Sequence, residues 1–523
     1  MEMARRNLWL SGTAPASLST ARAVRMPVCH AGHLRGYVGN FDCVLAMDGI
    51  ASHTNDSSFA LLSLTTRSPE EETAVANPER PQTGANTFLK PGSQCAQWYR
   101  EAVRFIPGGT SKANLYMRPH PLYVRGGSGC WATDLEGVER LDCVNNFTSL
   151  IHGHAFPPVV QAVTAQLSRG TNFAFSTPDE LMLAKLLVER VPGLDLVRFG
   201  NSGTEAVMMA IKAARAFTGR DRIAKIEGAY HGYYDDVQVS FHSTPPDWGL
   251  DDAPASLPSS GGIPKHRIQE TLVLPWNDPD ATERLLTRHK NELAAVIVDP
   301  LSNRMGFIPP APGYLKHLRE VTRAYGILVI FDEVISLRVG YTGGQGRYGG
   351  DPDLTAMGKI IGGGFPVGAT GGKVEVMAVF DPGSKGPRIL SGGTFSANPV
   401  TMTAGLAAMQ AMDRTTFARL EDMGARLRAR LNDVFTKSGQ PGQVTGDGSL
   451  FRFVMVGRLL RNYRDTVEPG VDERSYRLFM ALLDAGIMVN NNGLGCLSTP
   501  MGEAELDRIE AGVEQALSTL AKE

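Results

Sequence analysis

The feature that most constrains the fold is a series of short apolar segments, separated by helical stretches, in the middle of the chain. The apolar segments are residues 196–199, 223–226, 272–274, 295–298 and 327–331. Apolar residues recur at helical spacing between several of them, for example in 204–217 and 314–325. Strands that are apolar throughout and are separated by helices indicate a mostly parallel sheet with both faces covered. The sequence therefore predicts an α/β fold.

The composition and the periodicity of the 523-residue chain change along its length. Residues 1–90 lack a sustained period and contain a linker-like stretch, so we expect a poorly ordered N-terminal extension. Residues 91–150 are expected to contribute to a small domain and residues 151–400 to form a large domain. Residues 401–523 contain two helical stretches, short strands and a final helix from Glu503, and should complete the small α/β domain.

The N-terminal segment also allows two local predictions. Residues 98–105 have the pattern of a helix that ends at Pro107, Gly108 and Gly109. Residues 123–125 and 130–134 should form a short hairpin around Gly126 and Gly127.

Composition excludes some classes of function. A formal net charge of -2 provides no global basic field for nucleic acid, and no run of apolar residues is long enough to span a membrane. The six cysteines lack a CxxC pair or a zinc-like spacing with histidine, so we expect free thiols, no metal site and a cytoplasmic protein. The arginine-rich, acid-poor first forty residues weakly resemble an organelle transit segment. A disordered tail, or translation from upstream of the true start, fits them equally.

The first motif with chemical meaning is residues 201–206, Asn-Ser-Gly-Thr-Glu-Ala, between a predicted strand and a predicted helix. Ser202 is a suitable N-cap residue. The unpaired N–H groups and the positive dipole end of a helix suit a phosphate. Taken alone, the motif also fits a capped helix without a ligand.

The second motif is the pair Asp332 and Glu333, which ends an apolar strand. Ligands of open α/β sheets bind at the carboxyl ends of strands, and an acid buried there needs a cationic partner. A protonated pyridine nitrogen would be such a partner. Taken alone, the pair also fits a solvated strand end.

The third motif places Lys359 in an apolar, glycine-flanked stretch, Gly-Lys-Ile-Ile-Gly-Gly-Gly. Most lysines lie at the surface, but a desolvated lysine has a lowered pKa and can form a Schiff base with a carbonyl. The fourth motif, residues 391–399, presents hydroxyl groups in a glycine-rich turn before a helix. It suits a phosphate, or an ordinary turn.

In order and spacing, the four motifs resemble those of the class III aminotransferases over roughly residues 95–520. The glutamate-1-semialdehyde aminomutases and the β-amino-acid (β-phenylalanine-type) aminotransferases are nearest in pattern. The resemblance implies fold type I of the pyridoxal-phosphate (PLP)-dependent transferases and PLP as cofactor. It places the cofactor in the large domain.

The resemblance also assigns roles around the ring of the cofactor. Lys359 would form the internal aldimine and then work as general acid and base. Asp332 would bind the pyridine nitrogen, and Val334 would pack behind the ring. Tyr230 would stack on the ring, with His231 as its neighbour. We therefore expect Lys359, Asp332 and Tyr230 to be the catalytic residues.

The remaining matches concern the phosphate and the quaternary structure. Ser202, Gly203 and Thr204 correspond to the phosphate-binding turn. Thr394, in Gly-Gly-Thr-Phe-Ser-Ala-Asn-Pro, corresponds to a threonine that reaches the phosphate of the neighbouring subunit. This last match implies a homodimer with shared active sites.

The chain departs from the family pattern where substrate would bind. The run Ile335-Ser336-Leu337-Arg338 after the second motif is short, as in the β-amino-acid group. Lys112 and Asn492 occupy positions where that group carries arginines, and lysine is a weaker bidentate partner for a carboxylate. Arg304 stands near an asparagine of the aminomutases. These three residues, Lys112, Arg304 and Asn492, are the candidates for binding substrate.

The resemblance leads to one expected activity and leaves two alternatives open. The expected activity is transfer of an amino group from a β-amino acid or amine donor to a keto acid. An intramolecular aminomutase of the glutamate-1-semialdehyde type would use the same residues. A PLP-binding protein without turnover is the third hypothesis, and the presence of Lys359, Asp332 and Tyr230 argues against it.

Overall fold

The computed structural model of the protein describes residues 86–383, 385–386 and 389–522. Most of the predicted N-terminal extension, the transit-like segment, Cys29 and Cys43 lie outside the described residues. Within the described part, no helix is both long enough and apolar enough to cross a membrane.

The strands of the described residues fall into four sheets. In chain order they are β1 Val124–Ser128, β2 Trp131–Asp134, β3 Glu139–Asp142, β4 Leu196–Gly200, β5 Arg222–Ile226, β6 Gly249–Leu250, β7 Ala253–Pro254, β8 Thr271–Leu274, β9 Leu293–Val298, β10 Leu328–Asp332, β11 Leu354–Gly358, β12 Gly368–Gly372, β13 Gln443–Thr445, β14 Leu450–Val454, β15 Ile487–Met488 and β16 Leu494–Cys496.

The α-helices cover these sheets and connect their strands. In chain order they are α1 Gln94–Ala102, α2 Asn145–Thr148, α3 Pro157–Leu167, α4 Pro178–Arg190, α5 Gly203–Thr218, α6 Lys265–Gln269, α7 Pro279–Arg288, α8 Tyr314–Ala324, α9 Gly343–Tyr348, α10 Val374–Met377, α11 Pro399–Ala411, α12 Arg414–Ser438, α13 Val471–Asp484 and α14 Glu503–Lys522.

The largest sheet has seven strands in the order β4-β12-β11-β10-β9-β5-β8. β12 runs antiparallel to the other six strands, which share one direction. The predicted α/β class and fold type I are therefore confirmed. β12, whose sequence is Gly-Ala-Thr-Gly-Gly, was not predicted because glycine is depleted in strands.

Both faces of this sheet are buried, as the apolar runs predict. Side chains alternate between two hydrophobic clusters along each central strand. Ile297 and Ile330 pack in the cluster that contains α5, whereas Val296 and Val329 pack in the cluster that contains α7 and α8. This burial explains why β9 and β10 are apolar throughout rather than alternating.

A second group of sheets joins the N-terminal segment to the C-terminal part of the chain. β1, β2 and β3 form a sheet to which β15 adds in parallel, next to β3. β13, β14 and β16 form a three-stranded antiparallel sheet. Helix α14 packs against both α12 and α13 in this part of the chain.

Two local predictions were wrong in detail. Helix α1 begins at Gln94 rather than at residue 98, because the Ser93 side chain accepts a hydrogen bond from Ala96 N and caps the helix earlier. Gly126 and Gly127 lie within β1, and the chain turns after Ser128. A Cβ at Gly127 would lie 2.7 Å from Cγ of His154, so this glycine permits close packing instead of a turn.

The loop after β11 depends on a glycine at a close contact. Gly363 has φ +58°, and a Cβ there would lie 2.3 Å from the carbonyl oxygen of Ala404 in α11. Gly439, which follows α12, has a similar φ of +66° but no atom within 4 Å of the same position. Comparing substitutions at the two glycines therefore distinguishes two destabilising effects of an added side chain. One is the strain of a positive φ, and the other is the steric clash with a neighbouring atom.

Gly363→Ala is expected to destabilise the fold more than Gly439→Ala. The backbone cost, about 1 kcal/mol, is common to both, but only Gly363→Ala forces α11 away from the loop. Thermal unfolding followed by circular dichroism measures the difference. Equal decreases in melting temperature in the two variants would show that the contact with Ala404 contributes nothing to stability.

Candidate active site

Three charged side chains meet at the carboxyl edge of the seven-stranded sheet. Asp332 ends β10, Asp299 directly follows β9, and Lys359 directly follows β11. Because β11, β10 and β9 are adjacent, the three side chains line one cavity of about 400 Å³. Ligands of open α/β sheets bind at this edge.

The structure brings most of the predicted site residues together in this Lys359 cavity. Those that line it are Lys112, Ser202, Gly203, Thr204, Tyr230, His231, Asp332, Val334 and Lys359. Arg304 and Asn492 line a separate cavity of about 1020 Å³. Thr394 lines neither cavity, and its carbonyl oxygen accepts a hydrogen bond of 2.8 Å from Asn172 Nδ2.

Lys359 has the environment that a nucleophilic amine needs. Burial lowers the pKa of Lys359, while the charges of Asp332 and Asp299 oppose that shift. The residue adopts φ +53°, a left-handed conformation that costs a non-glycine residue about 1 kcal/mol or more. A lysine in this setting loses its proton more readily than an exposed lysine, and its neutral amine can react with a carbonyl.

Asp332 is held by two hydrogen bonds. His231 Nδ1 donates to Oδ2 over 2.8 Å, and Val334 N donates to Oδ1 over 3.0 Å. Asp332 is only 4% exposed and His231 only 2% exposed. Burial lowers the pKa of His231, although its hydrogen bond to Asp332 opposes the shift. A neutral imidazole that donates to Asp332 fixes the orientation of the carboxylate.

Asp299 is a site residue that the sequence analysis did not select. It is 4% exposed, and burial together with the nearby charge of Asp332 raises its pKa well above the ordinary value. The available signal was an acid after an apolar strand, which is the same signal that identified Asp332.

The predicted phosphate turn opens helix α5. Ser202 Oγ accepts a hydrogen bond of 3.1 Å from Glu205 N, which confirms its prediction as an N-cap. The Glu205 carboxylate accepts a hydrogen bond of 2.6 Å from Asn201 N. Gly203 and Thr204, in the first turn of this sixteen-residue helix, line the cavity. Their position at a helix N-terminus suits a phosphate group.

A left-handed turn forms another part of the cavity wall. All four residues of α2, Asn145 to Thr148, have positive φ, and Asn146 and Phe147 line the cavity. The exposed Lys112 reaches this turn, since its Nζ donates to Asn146 Oδ1 over 3.0 Å and lies 5.5 Å from the centroid of the Phe147 ring. No feature of the sequence predicted this conformation.

The donor set fits PLP. Lys359 is available for the aldehyde, Asp332 for the pyridine nitrogen, and the start of α5 for the phosphate. His231 Nε2 is buried without a hydrogen-bond partner in the described structure. Within the described residues, no group of three or more histidine, cysteine, aspartate or glutamate side chains could hold a metal ion.

Comparisons with known proteins agree with this geometry. The model of the class III aminotransferase family matches residues 114–514. A glutamate-1-semialdehyde 2,1-aminomutase of Methanothermobacter thermautotrophicus is 39% identical over 81% of this chain and 98% of its own length.

Among solved structures, an omega-transaminase from Sphaerobacter thermophilus is 51% identical, with a TM-score of 0.80 over 82% of this chain and 99% of that chain. A β-phenylalanine aminotransferase from Variovorax paradoxus is 33% identical, with a TM-score of 0.74 over 84% of this chain and 97% of that chain.

The lowered pKa of Lys359 leads to a prediction for the cofactor-free protein. The Lys359 amine should react with acetic anhydride at lower pH than the amine of Lys316, whose side chain is 82% exposed. Asp332→Asn should move the Lys359 profile to still lower pH, because it removes the main charge that opposes the effect of burial. Peptide mass spectrometry across a pH series measures both profiles. Coincident profiles for Lys359 and Lys316 would contradict the prediction.

Proposed function

The chain belongs to the class III aminotransferase family, and we propose that it moves amino groups through PLP bound in the Lys359 cavity. Dependence on PLP and the aminotransferase class of the enzyme follow from the family. The observation that carries the assignment to this cavity is the meeting of Lys359, Asp332 and the start of α5 around one space of about 400 Å³.

The residues of the cavity have separable roles in this proposal. PLP, when bound, supplies an electron sink for the substrate carbon. Lys359 would hold the cofactor, and its Nζ would move a proton to or from the substrate carbon. Asp332, oriented by His231, keeps a proton on the pyridine nitrogen.

The walls of the cavity orient the cofactor and exclude water. Tyr230 covers one side, and Phe241 supports its ring edge-to-face at 5.4 Å between centroids. Val334 lines the same cavity and would pack behind the ring of the cofactor, as the resemblance to the family implies. Lys112 provides a cation at the cavity wall that can bind a substrate carboxylate.

Two finer reactions remain candidates. The similarity to glutamate-1-semialdehyde aminomutases supports the intramolecular reaction. This support is stronger than the support that the relatives give to the β-amino-acid or amine donor expected from the sequence. The 51% identity to the Sphaerobacter omega-transaminase favours the intermolecular reaction and exceeds the 39% identity to the Methanothermobacter aminomutase. Both reactions use Lys359 in the same way.

We also propose that the protein is a homodimer with shared active sites. Thr394 lies outside the Lys359 cavity of its own chain, as expected if it serves the neighbouring subunit. The loops around Asn172 and Thr394 are joined by a hydrogen bond and carry exposed apolar side chains. These are Phe173, Phe175, Leu390 and Phe395, and Leu390 is 94% exposed. A second copy would remove this apolar surface from water.

The choice between the two reactions is tested with and without an added keto acid. Purified PLP-loaded protein is offered a panel of amino donors and glutamate-1-semialdehyde, with 2-oxoglutarate or pyruvate present or absent. An aminomutase converts glutamate-1-semialdehyde without a keto acid, whereas a transaminase gives product only when one is present. Lys359→Ala should abolish either reaction, and Lys316→Ala is the matched control. If Lys359→Ala remained as active as Lys316→Ala, the proposed role of Lys359 would be wrong.

The dimer proposal predicts different effects of the same substitution at two exposed leucines. Leu390→Glu should shift the protein towards the monomer and weaken PLP retention, because it places a charge in the proposed interface. Leu459→Glu, at a leucine that is 76% exposed in the C-terminal part, should change neither property. Analytical ultracentrifugation and cofactor absorbance measure both. A wild-type monomer, or a Leu390→Glu variant that remains dimeric, would refute the proposal.

A further inference from the structure

Lys225 is a fully buried lysine that the proposed mechanism does not use. It lies in β5. Its Nζ donates to the carbonyl oxygen of Ile226 over 2.9 Å and forms no ion pair with any residue that the structure describes. A buried ammonium group needs a reason, because it loses its hydration and no paired acid offsets that loss.

The acid nearest to Lys225 in the sequence is already engaged. The Glu227 carboxylate accepts hydrogen bonds of 2.8 and 3.1 Å from Arg464 and one of 3.2 Å from Ser243 Oγ. Burial lowers the pKa of Lys225 to about 7, and the charge of Glu227 opposes that shift only in part. Lys225 therefore carries its charge below about pH 7 and loses it as the pH rises through that value.

The register of the sheet places Lys225 on the same face as Asp332. Lys225 is paired with Ile297 of β9, and Ile297 is paired with Ile330 of β10. Side chains two residues apart in a strand point to the same face, so Asp332 follows Ile330 on the face that carries Lys225. Two strand spacings, about 10 Å in total, separate β5 from β10.

His231 has one ring nitrogen with a partner and one without. Nδ1 donates to Asp332 Oδ2 over 2.8 Å, whereas Nε2 is buried without a hydrogen-bond partner in the described structure. Burial lowers the pKa of His231, the hydrogen bond and charge of Asp332 oppose that shift, and the charge of Lys225 adds to it. A neutral ring that donates from Nδ1 accepts at Nε2, and the Lys225 ammonium has two further N–H groups to donate.

The charge of His231 determines which cation Asp332 can pair with. An imidazolium at His231 would neutralise the Asp332 carboxylate, whereas a neutral imidazole leaves that negative charge for another cation. The other charged side chains that line the cavity are Lys112, Asp299 and Lys359. None of these three is hydrogen-bonded to His231 within the described residues.

We propose that Lys225 is a positioning residue that keeps the His231 imidazole uncharged and so reserves the charge of Asp332 for the pyridine nitrogen of PLP. The effect on His231 belongs to the protein with or without cofactor, and the effect on PLP rests on the proposed function. Lys225 does not line the Lys359 cavity, so it acts through His231. A histidine takes up its second proton below about pH 7, where Lys225 is charged.

The experiment follows the ring nitrogens of His231 by nitrogen NMR across a pH series. The full-length protein, isotopically labelled at histidine, is measured first without and then with PLP. His231→Asn assigns the signals among the 11 histidines of the chain. Lys225→Met should raise the pH at which Nε2 takes up its proton by about one unit or more, because it removes a like charge from a buried neighbour.

Lys212→Met is the matched control. It removes the same charge from an exposed position of α5 and should leave the titration of His231 unchanged. Lys225→Arg keeps a charge and should preserve the wild-type titration. Thermal unfolding distinguishes a structural role, since Lys225→Met removes a buried, unpaired charge and should not lower the melting temperature.

The effect on the cofactor is measured separately, with PLP labelled at its pyridine nitrogen. Lys225→Met should reduce the signal of the protonated pyridine nitrogen relative to the wild type. In a His231→Asn background the same substitution should have no further effect, because an asparagine can donate to Asp332 but cannot become charged.

An unchanged titration of His231 in Lys225→Met, or an equal shift in Lys212→Met, would overturn the inference. A shifted titration with an unchanged pyridine signal would overturn its extension to the cofactor. If His231 shifts as expected but the protein binds no PLP, the proposed function fails and the role of Lys225 towards His231 stands.

Discussion

The proposed active site depends on holding one amine and two carboxyl groups together in a small, buried space. Lys359, Asp332 and Asp299 reach that space from three neighbouring strands, so the order of the sheet determines their proximity. Desolvation penalises each charge, and mutual attraction offsets only part of the penalty. The hydrogen bond from His231 and the amide of Val334 stabilise the Asp332 carboxylate. A cationic pyridine ring would offset the negative charge of the carboxylates, and the positive end of α5 would stabilise the phosphate.

Strained backbone around this space is held in place by buried contacts. The left-handed turn of α2 places Asn146 and Phe147 in the wall of the cavity at a cost of about 1 kcal/mol per residue. Arg338 is 1% exposed and donates to the carbonyl oxygens of Thr148 and Leu497 over 2.7 and 2.6 Å. These hydrogen bonds link the turn to the C-terminal segment. Strain that surrounding contacts maintain is common at ligand sites, and here it shapes one wall of the cavity.

The sequence predicted what depends on pattern and missed what depends on three-dimensional contact. Apolar periodicity identified β9, β10 and α5, and the chemistry of Ser202, Asp332 and Lys359 placed them in a common site. Periodicity could not identify β12, because a glycine-rich strand has no pattern of apolar side chains. Nor could it show that Arg304 and Asn492 line a different cavity from Lys359.

The central claim, that Lys359 carries the cofactor, is tested most directly by trapping the bond. The PLP-loaded enzyme is reduced with borohydride, digested and analysed by peptide mass spectrometry. A pyridoxyl-phosphate adduct on the peptide that contains Lys359, and on no other lysine, is the predicted result. An adduct on another lysine, or no adduct in an enzyme that converts amines, would contradict the assignment of this cavity as the active site.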